Sequence, residues 1–210
     1  MKKAVIFDLD GTLWDSTSRL VESYNQVLAR YPELDLRVTQ ERLESGMGMN
    51  RVALRRHLFP SVDEEMRETL IAQCFDEELV YLRKEYGKPY PHLKETLEQL
   101  SRDYTLAIVS NCQAGYVEVF LDTIGVGEYV ADHECFATGL PKGENIKLVM
   151  ERQGIHRAIY VGDTQGDLNA ADLAGLPFVY AAYGFGSVDR ETCAIQSLAE
   201  LPALAAELLK

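Results

Sequence analysis

The chain has 210 residues, with 33 Asp and Glu against 21 Lys and Arg, which gives a formal net charge of −12. A chain of this length buries enough surface to form a core without disulfide or metal staples. The acidic excess argues against nucleic acid and anionic membranes as partners, because phosphate groups are held by clustered Lys and Arg. No apolar run approaches the roughly 20 residues that span a bilayer, so we expect a cytoplasmic protein.

Short apolar runs predict four strands that are buried on both faces. They cover residues 4–7, 106–109, 158–161 and 178–181. From Thr105 onward, segments with helical periodicity alternate with these runs, as they do in doubly wound sheets. We therefore predict an α/β fold with a doubly wound, Rossmann-like parallel sheet.

The long interval between the first two predicted strands does not fit this alternation. Apolar residues such as Leu20, Tyr24 and Leu28 have helical spacing there, whereas a crossover needs only about a dozen residues. We predict an inserted all-helical cap domain over residues 15–86, hinged near residues 14–16 and 87–91. The α/β catalytic core then comprises residues 1–14 and 87–210.

Two carboxylates, Asp8 and Asp10, follow the first predicted strand and precede Gly11. An Asp-Gly pair after a strand is also a common turn. Carboxylates this close repel each other, however, and a cation or a shared proton relieves the repulsion. One of them can serve as a nucleophile and the other as a general acid and base.

A second acidic pair, Asp163 and Asp167, follows the third predicted strand. A helix N-terminus by itself favours acidic residues at such a place. Together with Asp8 and Asp10, these residues supply the hard oxygen ligands that hold Mg²⁺ beside a substrate phosphate. Both pairs follow the carboxyl ends of strands, where open α/β sheets bind their ligands.

Three further polar residues occupy comparable positions. Ser110 and Asn111 end the second strand, where they either cap the next helix or bind phosphate oxygens. Lys142 lies between the second and third strands, just before a predicted helix. A lone Lys is usually at the surface, but this one is the cation available to balance the carboxylates.

The cysteines and histidines predict no site of their own. Cys74, Cys112, Cys135 and Cys193 are scattered and lack the paired spacing of a zinc or redox motif. We expect them to be small buried hydrophobic residues. A hydrolase built on Cys112 and a distant His is therefore disfavoured.

In their order along the chain, these residues resemble the four motifs of the haloacid dehalogenase superfamily. The motifs are Asp8-x-Asp10-Gly11-Thr12, Ser110-Asn111, Lys142, and Gly162-Asp163-x-x-x-Asp167. The resemblance covers nearly the whole chain, because the insertion after the first motif is similar to the family's helical cap. It implies a Mg²⁺-dependent phosphatase that acts on a small phosphorylated metabolite, and we expect a monomer or a small homo-oligomer.

The resemblance also implies a role for each motif residue. Asp8 would attack phosphorus and become an aspartyl-phosphate, while Asp10 would protonate the leaving oxygen and then activate water. Lys142 would neutralise the negative charge of Asp8 and of the phosphate. Phosphate would be held by Thr12, Ser110 and Asn111, and Mg²⁺ by Asp8, Asp163, the Asp10 carbonyl and Asp167, unless Asp167 instead orients Lys142. Phosphoryl transfer needs such positioning and charge neutralisation.

Two motif positions favour a phosphatase within the superfamily. Family dehalogenases and phosphonate hydrolases generally lack an acid at the position of Asp10, and sugar-phosphate mutases often have Val at that of Thr12. The alternatives are a β-phosphoglucomutase-like mutase, a pyrophosphatase or nucleotidase and, more remotely, a non-catalytic binding module. The phosphoglycolate phosphatase subgroup is the most similar in general pattern, including the run Tyr183-Gly184-Phe185-Gly186.

Substrate specificity is expected to lie in the cap, because the four motifs hold only the phosphoryl group. Residues Gly46, Met47, Gly48 and Met49 predict a flexible loop that faces the site. Arg51 and Arg55, four residues apart, would share one helix face just beyond it. They form either a solvated basic face or a site for a carboxylate or a second phosphate of the substrate.

Overall fold

Eight strands and nine α-helices make up the fold in a computed structural model that describes residues 1–210. The strands are β1 (Lys3–Phe7), β2 (Trp14–Asp15), β3 (Lys88–Pro89), β4 (Thr105–Val109), β5 (Val130–Glu134), β6 (Arg157–Gly162), β7 (Phe178–Ala181) and β8 (Cys193–Ile195). The helices are α1 (Thr17–Leu28), α2 (Gln40–Glu44), α3 (Arg51–Leu58), α4 (Glu64–Leu82), α5 (Leu93–Ser101), α6 (Tyr116–Ile124), α7 (Lys142–Gln153), α8 (Gln165–Ala174) and α9 (Leu201–Leu208).

The first strand lies near the middle of a six-stranded sheet with the order β5-β4-β1-β6-β7-β8, in which all neighbouring strands are parallel. Its side chains alternate between the two faces. Val5 and Phe7 join a large apolar cluster with α5, α6 and α9, whereas Ala4 and Ile6 pack with α7 and α8. Both faces are thus covered, which confirms the predicted doubly wound α/β fold.

The sequence pattern predicts four of the six sheet strands and misses β5 and β8. They are the two edge strands of the sheet, and β8 is only three residues long. β5 reads Val-Ala-Asp-His-Glu and has no fully buried residue, and two of the three residues of β8 are exposed. A strand that is not enclosed on both faces needs no continuous apolar run, so it leaves no such signal in the sequence.

Four helices, α1 to α4, lie between β2 and β3, and we refer to them as the helical insert. The two short strands pair antiparallel, with Trp14 opposite Pro89, so both connections to the insert run side by side. Apolar residues of α1 and α4 belong to the same cluster as Val5 and Phe7 of the sheet. The insert therefore closes over one end of the sheet, and its treatment as a separate domain over residues 15–86 remains a prediction.

Trp14 fixes these connections against the sheet. Its side chain is fully buried and packs edge-to-face on Tyr116 and Phe120 of α6, with ring centroids 5.7 and 5.1 Å away. Gly87, on the other connection, lies so close that a Cβ there would approach the indole ring to 2.8 Å. Aromatic packing of this kind stabilises a structure beyond the area that it buries.

None of the nine helices combines the length and the apolar character that crossing a bilayer requires.

Removal of the Trp14 side chain should destabilise the whole fold. We expect Trp14→Ala to lower the free energy of unfolding by about 3–5 kcal/mol, the usual cost of removing a buried large aromatic side chain. Urea denaturation followed by circular dichroism measures this change. Trp14→Phe, which keeps an aromatic ring, is the control and should lose distinctly less; equal losses would contradict the packing role of the ring.

Candidate active site

The motif residues meet where the parallel strands of the sheet have their carboxyl ends, which we call the sheet edge. Asp8, Ser110 and Asp163 directly follow β1, β4 and β6, three adjacent parallel strands, and Lys142 is the first residue of α7. All four side chains are buried. Ligands of open α/β sheets bind at this carboxyl edge, so the fold brings together residues that are far apart in sequence.

Lys142 bridges two carboxylates at the centre of this edge. Its Nζ donates hydrogen bonds to Oδ1 of Asp8 at 2.9 Å and to Oδ1 of Asp167 at 2.6 Å. Burial by itself lowers the pKa of Lys142, but Asp167 and Asp8 together hold it well above its usual range. The lysine therefore stays charged, and it offsets part of the repulsion between its partners.

Asp167 is satisfied almost entirely by the protein. Besides Lys142, its carboxylate accepts hydrogen bonds from the backbone N–H of Thr164 at 3.0 Å and from the Thr164 hydroxyl at 2.6 Å. In return, Thr164 Oγ1 accepts from the Asp167 N–H, which completes a capping box at the start of α8. Of the two roles implied for Asp167, this geometry favours the orientation of Lys142.

Asp163 lies in a cradle of closely packed backbone. A Cβ at Gly11 would come within 2.2 Å of Asp163 Oδ2, and a Cβ at Gly184 within 2.3 Å of the Asp163 Cβ. The backbone N–H of Phe185 donates to Asp163 Oδ2 at 2.8 Å. Only glycine permits this approach, so the Tyr-Gly-Phe-Gly run after β7 positions Asp163 rather than serving as a surface turn.

The donor set at this edge fits a divalent cation of the Mg²⁺ type. Oxygen atoms of Asp8, Asp163 and Asp167 lie within 4.8 Å of one another, and carboxylate oxygens are the ligands that Mg²⁺ prefers. Burial first, and then repulsion from Asp167 and Asp8, raises the pKa of Asp163 to about 8. A bound dication would relieve that repulsion, because three carboxylates outnumber the single ammonium group of Lys142.

The carboxylate of Asp10 is not a member of this cluster. Its Oδ1 accepts hydrogen bonds from the hydroxyls of Ser16 at 2.6 Å and Tyr116 at 2.9 Å. Burial raises the pKa of Asp10 to about 7, against the lowering effect of the Ser16 hydrogen bond. Asp10 is thus held near the helical insert with a pKa suited to proton transfer at neutral pH.

A cavity of about 60 Å³ opens between the sheet edge and the helical insert. The sheet edge contributes Asp8, Asp10, Ser110 and Asn111 to its wall. Cys112 also lines it, but burial raises the pKa of its thiol well above the usual range. The unreactive thiol form is therefore favoured, which argues against a cysteine nucleophile.

The loop of residues 46–49 covers this cavity from the insert side. All four of its residues line the wall, and the Gly48 carbonyl accepts a hydrogen bond of 3.0 Å from Nδ2 of Asn111. Gly48 has a φ of +78° and lies against Thr164, which a Cβ would approach to 3.2 Å. Neither Ser110 nor Asn111 caps the next helix, because α6 begins only at Tyr116.

Three residues of the predicted site lie elsewhere. Thr12 is fully buried beside Asp163, with its hydroxyl 3.5 Å from Oδ1, and does not line the cavity. Arg51 and Arg55 share a helix face as predicted, but both turn toward α4, where Arg51 pairs with Glu68 at 2.5 Å and Arg55 pairs with Glu64 and Glu68. Neither arginine lines the cavity, and carboxylates of the insert itself neutralise both.

A polar group that the sequence pattern does not reveal lines the cavity on the insert side. Glu78 of α4 is only 2% exposed, and its carboxylate accepts hydrogen bonds from the Tyr24 hydroxyl at 2.6 Å and from Nε2 of Gln113. Burial raises the pKa of Glu78 to about 8. Tyr24, Glu78 and Gln113 come from three separate segments, so no spacing in the sequence connects them.

Comparison with known proteins places this geometry in a family. A family model described as haloacid dehalogenase-like hydrolase matches residues 5–181. A phosphoglycolate phosphatase of Agrobacterium fabrum is 31% identical over 192 residues, which cover 87% of this chain and 82% of the relative. A phosphoglycolate phosphatase of Pseudomonas savastanoi pv. phaseolicola is 30% identical over 196 residues, with 88% and 71% covered.

Solved structures share the fold at lower sequence identity. A haloacid dehalogenase-like hydrolase of Streptococcus pneumoniae has a TM-score of 0.83 at 19% identity, with 97% of this chain and 98% of the other covered. A 2-haloacid dehalogenase of Pseudomonas syringae pv. Tomato has a TM-score of 0.66 at 24% identity, with 99% of each chain covered. At these identities the likeness concerns the fold and not the reaction.

The buried carboxyl group of Glu78 should make stability depend on pH. Because its pKa is raised from 4.5 to about 8 in the folded protein, the unfolded chain loses this proton at lower pH than the folded chain does. Relative to Glu78→Gln, the wild type should therefore lose stability as the pH rises from 4.5 to 8, by at most a few kcal/mol. Urea denaturation of both proteins across this range measures the difference, and a constant difference would contradict the assignment.

Proposed function

The chain belongs to the haloacid dehalogenase-like hydrolases, and we propose that it is a Mg²⁺-dependent phosphatase that hydrolyses a small phosphomonoester through an aspartyl-phosphate on Asp8. One observation carries the proposal. Asp8 lies at the cavity with one oxygen held by the charged Lys142, while Asp163 lies beside it and Asp10 lines the same cavity. We retain the helical insert as the proposed cap and the cytoplasm as the expected location.

Asp8 is the proposed nucleophile. An oxygen of its carboxylate forms the bond to phosphorus while the bond from phosphorus to the ester oxygen breaks. Lys142 is within 2.9 Å of Asp8 and reduces the repulsion between this carboxylate and the anionic phosphate. Burial, and then repulsion from Asp167, raises the pKa of Asp8 to about 6, against the effect of Lys142, so the nucleophile is ionised at neutral pH.

Asp10 is the proposed general acid and base. It donates its proton to the departing alcohol oxygen and later accepts a proton from the water that attacks the aspartyl-phosphate, which restores free Asp8. Ser16 and Tyr116 hold its carboxyl group at the cavity. A pKa of about 7 lets the same group carry the proton in one step and lack it in the next.

Asp8 and Asp163 are the proposed side-chain ligands of Mg²⁺, with Asp167 close by and largely engaged with Lys142 and Thr164. The backbone carbonyl of Asp10 is a further proposed ligand. When bound, the cation would neutralise phosphate charge and help to align the phosphoryl group. Gly11, Gly184 and the Phe185 N–H fix Asp163 in place for this contact.

Ser110 and Asn111 are the proposed groups that hold the phosphoryl oxygens, because both line the cavity next to Asp8. Thr12, by contrast, acts through its contact with Asp163. The names of the curated relatives make phosphoglycolate the first ester to assay. A sugar-phosphate mutase would require the phosphoryl group to return to the product, which an assay for free phosphate distinguishes.

Replacement of Asp8 tests the nucleophile. We expect Asp8→Asn to reduce phosphate release by at least about 1,000-fold, because an amide oxygen is a far weaker nucleophile than a carboxylate. Asp103→Asn, an exposed aspartate of the core, is the matched control and should retain full activity. Acid quench and mass spectrometry should find one phosphoryl group on Asp8 of the wild type; undiminished turnover of Asp8→Asn would refute the mechanism.

Metal dependence is tested separately. We expect EDTA to abolish phosphate release and added Mg²⁺ to restore it, and Asp163→Asn to weaken Mg²⁺ binding by at least about tenfold in titration calorimetry. Asp172→Asn, on the exposed side of α8, controls for the general loss of one negative charge. Full activity in EDTA would exclude the proposed role of the cation.

A further inference from the structure

The cavity wall contains acidic side chains but no basic one. Its ionisable acids are Asp8 and Asp10 at the sheet edge and Glu78 on the insert side, and no Lys, Arg or His lines it. The positively charged group beside Asp8, the ammonium of Lys142, is already shared between Asp8 and Asp167. A phosphate can meet the cation site at the sheet edge, but the alcohol portion of the ester faces a wall without positive charge.

Arginines of the insert do not supply the missing charge. Arg51 and Arg55 pair with Glu64 and Glu68 of α4, and neither lines the cavity. Arg30 pairs with Glu77, the residue next to Glu78, but on the exposed side of α4. The carboxyl group of Glu78 is therefore left with the neutral partners Tyr24 and Gln113.

A carboxylate on the substrate would be poorly accommodated against this wall. Burial of a charged group without a cation is strongly unfavourable. Tyr24 and Gln113 both donate hydrogen bonds to Glu78 and carry no charge, so no cation beside Glu78 balances a second negative charge. Ionised Glu78 would repel a second carboxylate outright.

A hydroxyl group on the substrate would find partners instead. It can donate a hydrogen bond to the carboxyl oxygens of Glu78, which the protein leaves with unused acceptor capacity. Apolar residues that line the same cavity as Glu78, including Leu20, Leu54 and Phe75, offer contact to a carbon skeleton. A site of this kind, a few polar groups set in an apolar wall, selects ligands by the position of their hydrogen-bonding groups.

We infer that the alcohol released by this enzyme carries neutral hydrogen-bonding groups such as hydroxyls, and that Glu78 selects against esters whose leaving group bears a carboxylate. The inference rests on the proposed phosphatase function and narrows its substrate class. It separates the chain from the relatives named phosphoglycolate phosphatase, since the ester in their name carries a carboxylate. Glu78 is a specificity residue in this proposal and takes no part in the bond-breaking steps.

Two esters of similar size and different charge test the inference. The wild type is assayed with 2-hydroxyethyl phosphate and with phosphoglycolate, at about pH 9 so that Glu78 is ionised. We expect kcat/KM to be at least about tenfold higher for the hydroxyl ester. Glu78→Gln should reduce this preference by at least about fivefold, chiefly by raising kcat/KM for phosphoglycolate. Asp76→Asn, an exposed position two residues earlier on α4, removes the same charge and should leave the preference unchanged.

The outcomes separate this inference from the proposed function. Absence of phosphate release from both esters and from p-nitrophenyl phosphate would overturn the proposed function, and this inference with it. Release with a preference for phosphoglycolate would overturn the inference alone, as would an unchanged preference in Glu78→Gln. If circular dichroism shows that Glu78→Gln does not fold, the wild type alone still tests the inference. A higher kcat/KM for phosphoglycolate than for 2-hydroxyethyl phosphate would then overturn it.

Discussion

The site depends on the placement of one buried ammonium group among three buried carboxylates. Lys142 holds Asp8 and Asp167 at hydrogen-bond distance. Without it, these buried carboxylates would repel one another at the carboxyl ends of the strands. Its position follows from the start of α7, which a proline-preceded first turn sets beside the ends of β1 and β6. Asp167 in turn is fixed by the capping box of α8. Local helix-start geometry thus determines where charge lies in the site.

The core of the fold and most of its site could be predicted from the sequence because both leave dense local signals. Asp8 and Asp163 each follow a run of buried strand residues, and strand ends of a parallel sheet meet at one edge. The family resemblance of the motifs, borne out by the match over residues 5–181, assigned Lys142 its place among them. Edge strand β5 could not be predicted in this way, because its burial does not depend on an apolar run.

The cavity wall on the insert side could not be predicted for a different reason. Glu78 is one of several glutamates on α4, and only packing distinguishes its buried carboxyl group from those of Glu64 and Glu68 at the surface. The same surface glutamates take up Arg51 and Arg55, which the sequence pattern offered as anion-binding groups. Which member of a charged pair faces a ligand is decided by tertiary contacts across helices, and these contacts have no fixed spacing along the chain.

The short ribbon formed by β2 and β3 has a consequence for how such a protein can diversify. The two ends of the helical insert lie next to each other, with Trp14 opposite Pro89, and a segment of almost any length can join two points that close at little entropic cost. The sheet and its charged edge need not shift when the segment between these points changes. Drift or replacement of the insert can therefore change one wall of the cavity while Asp8, Lys142 and Asp163 keep their positions at the sheet.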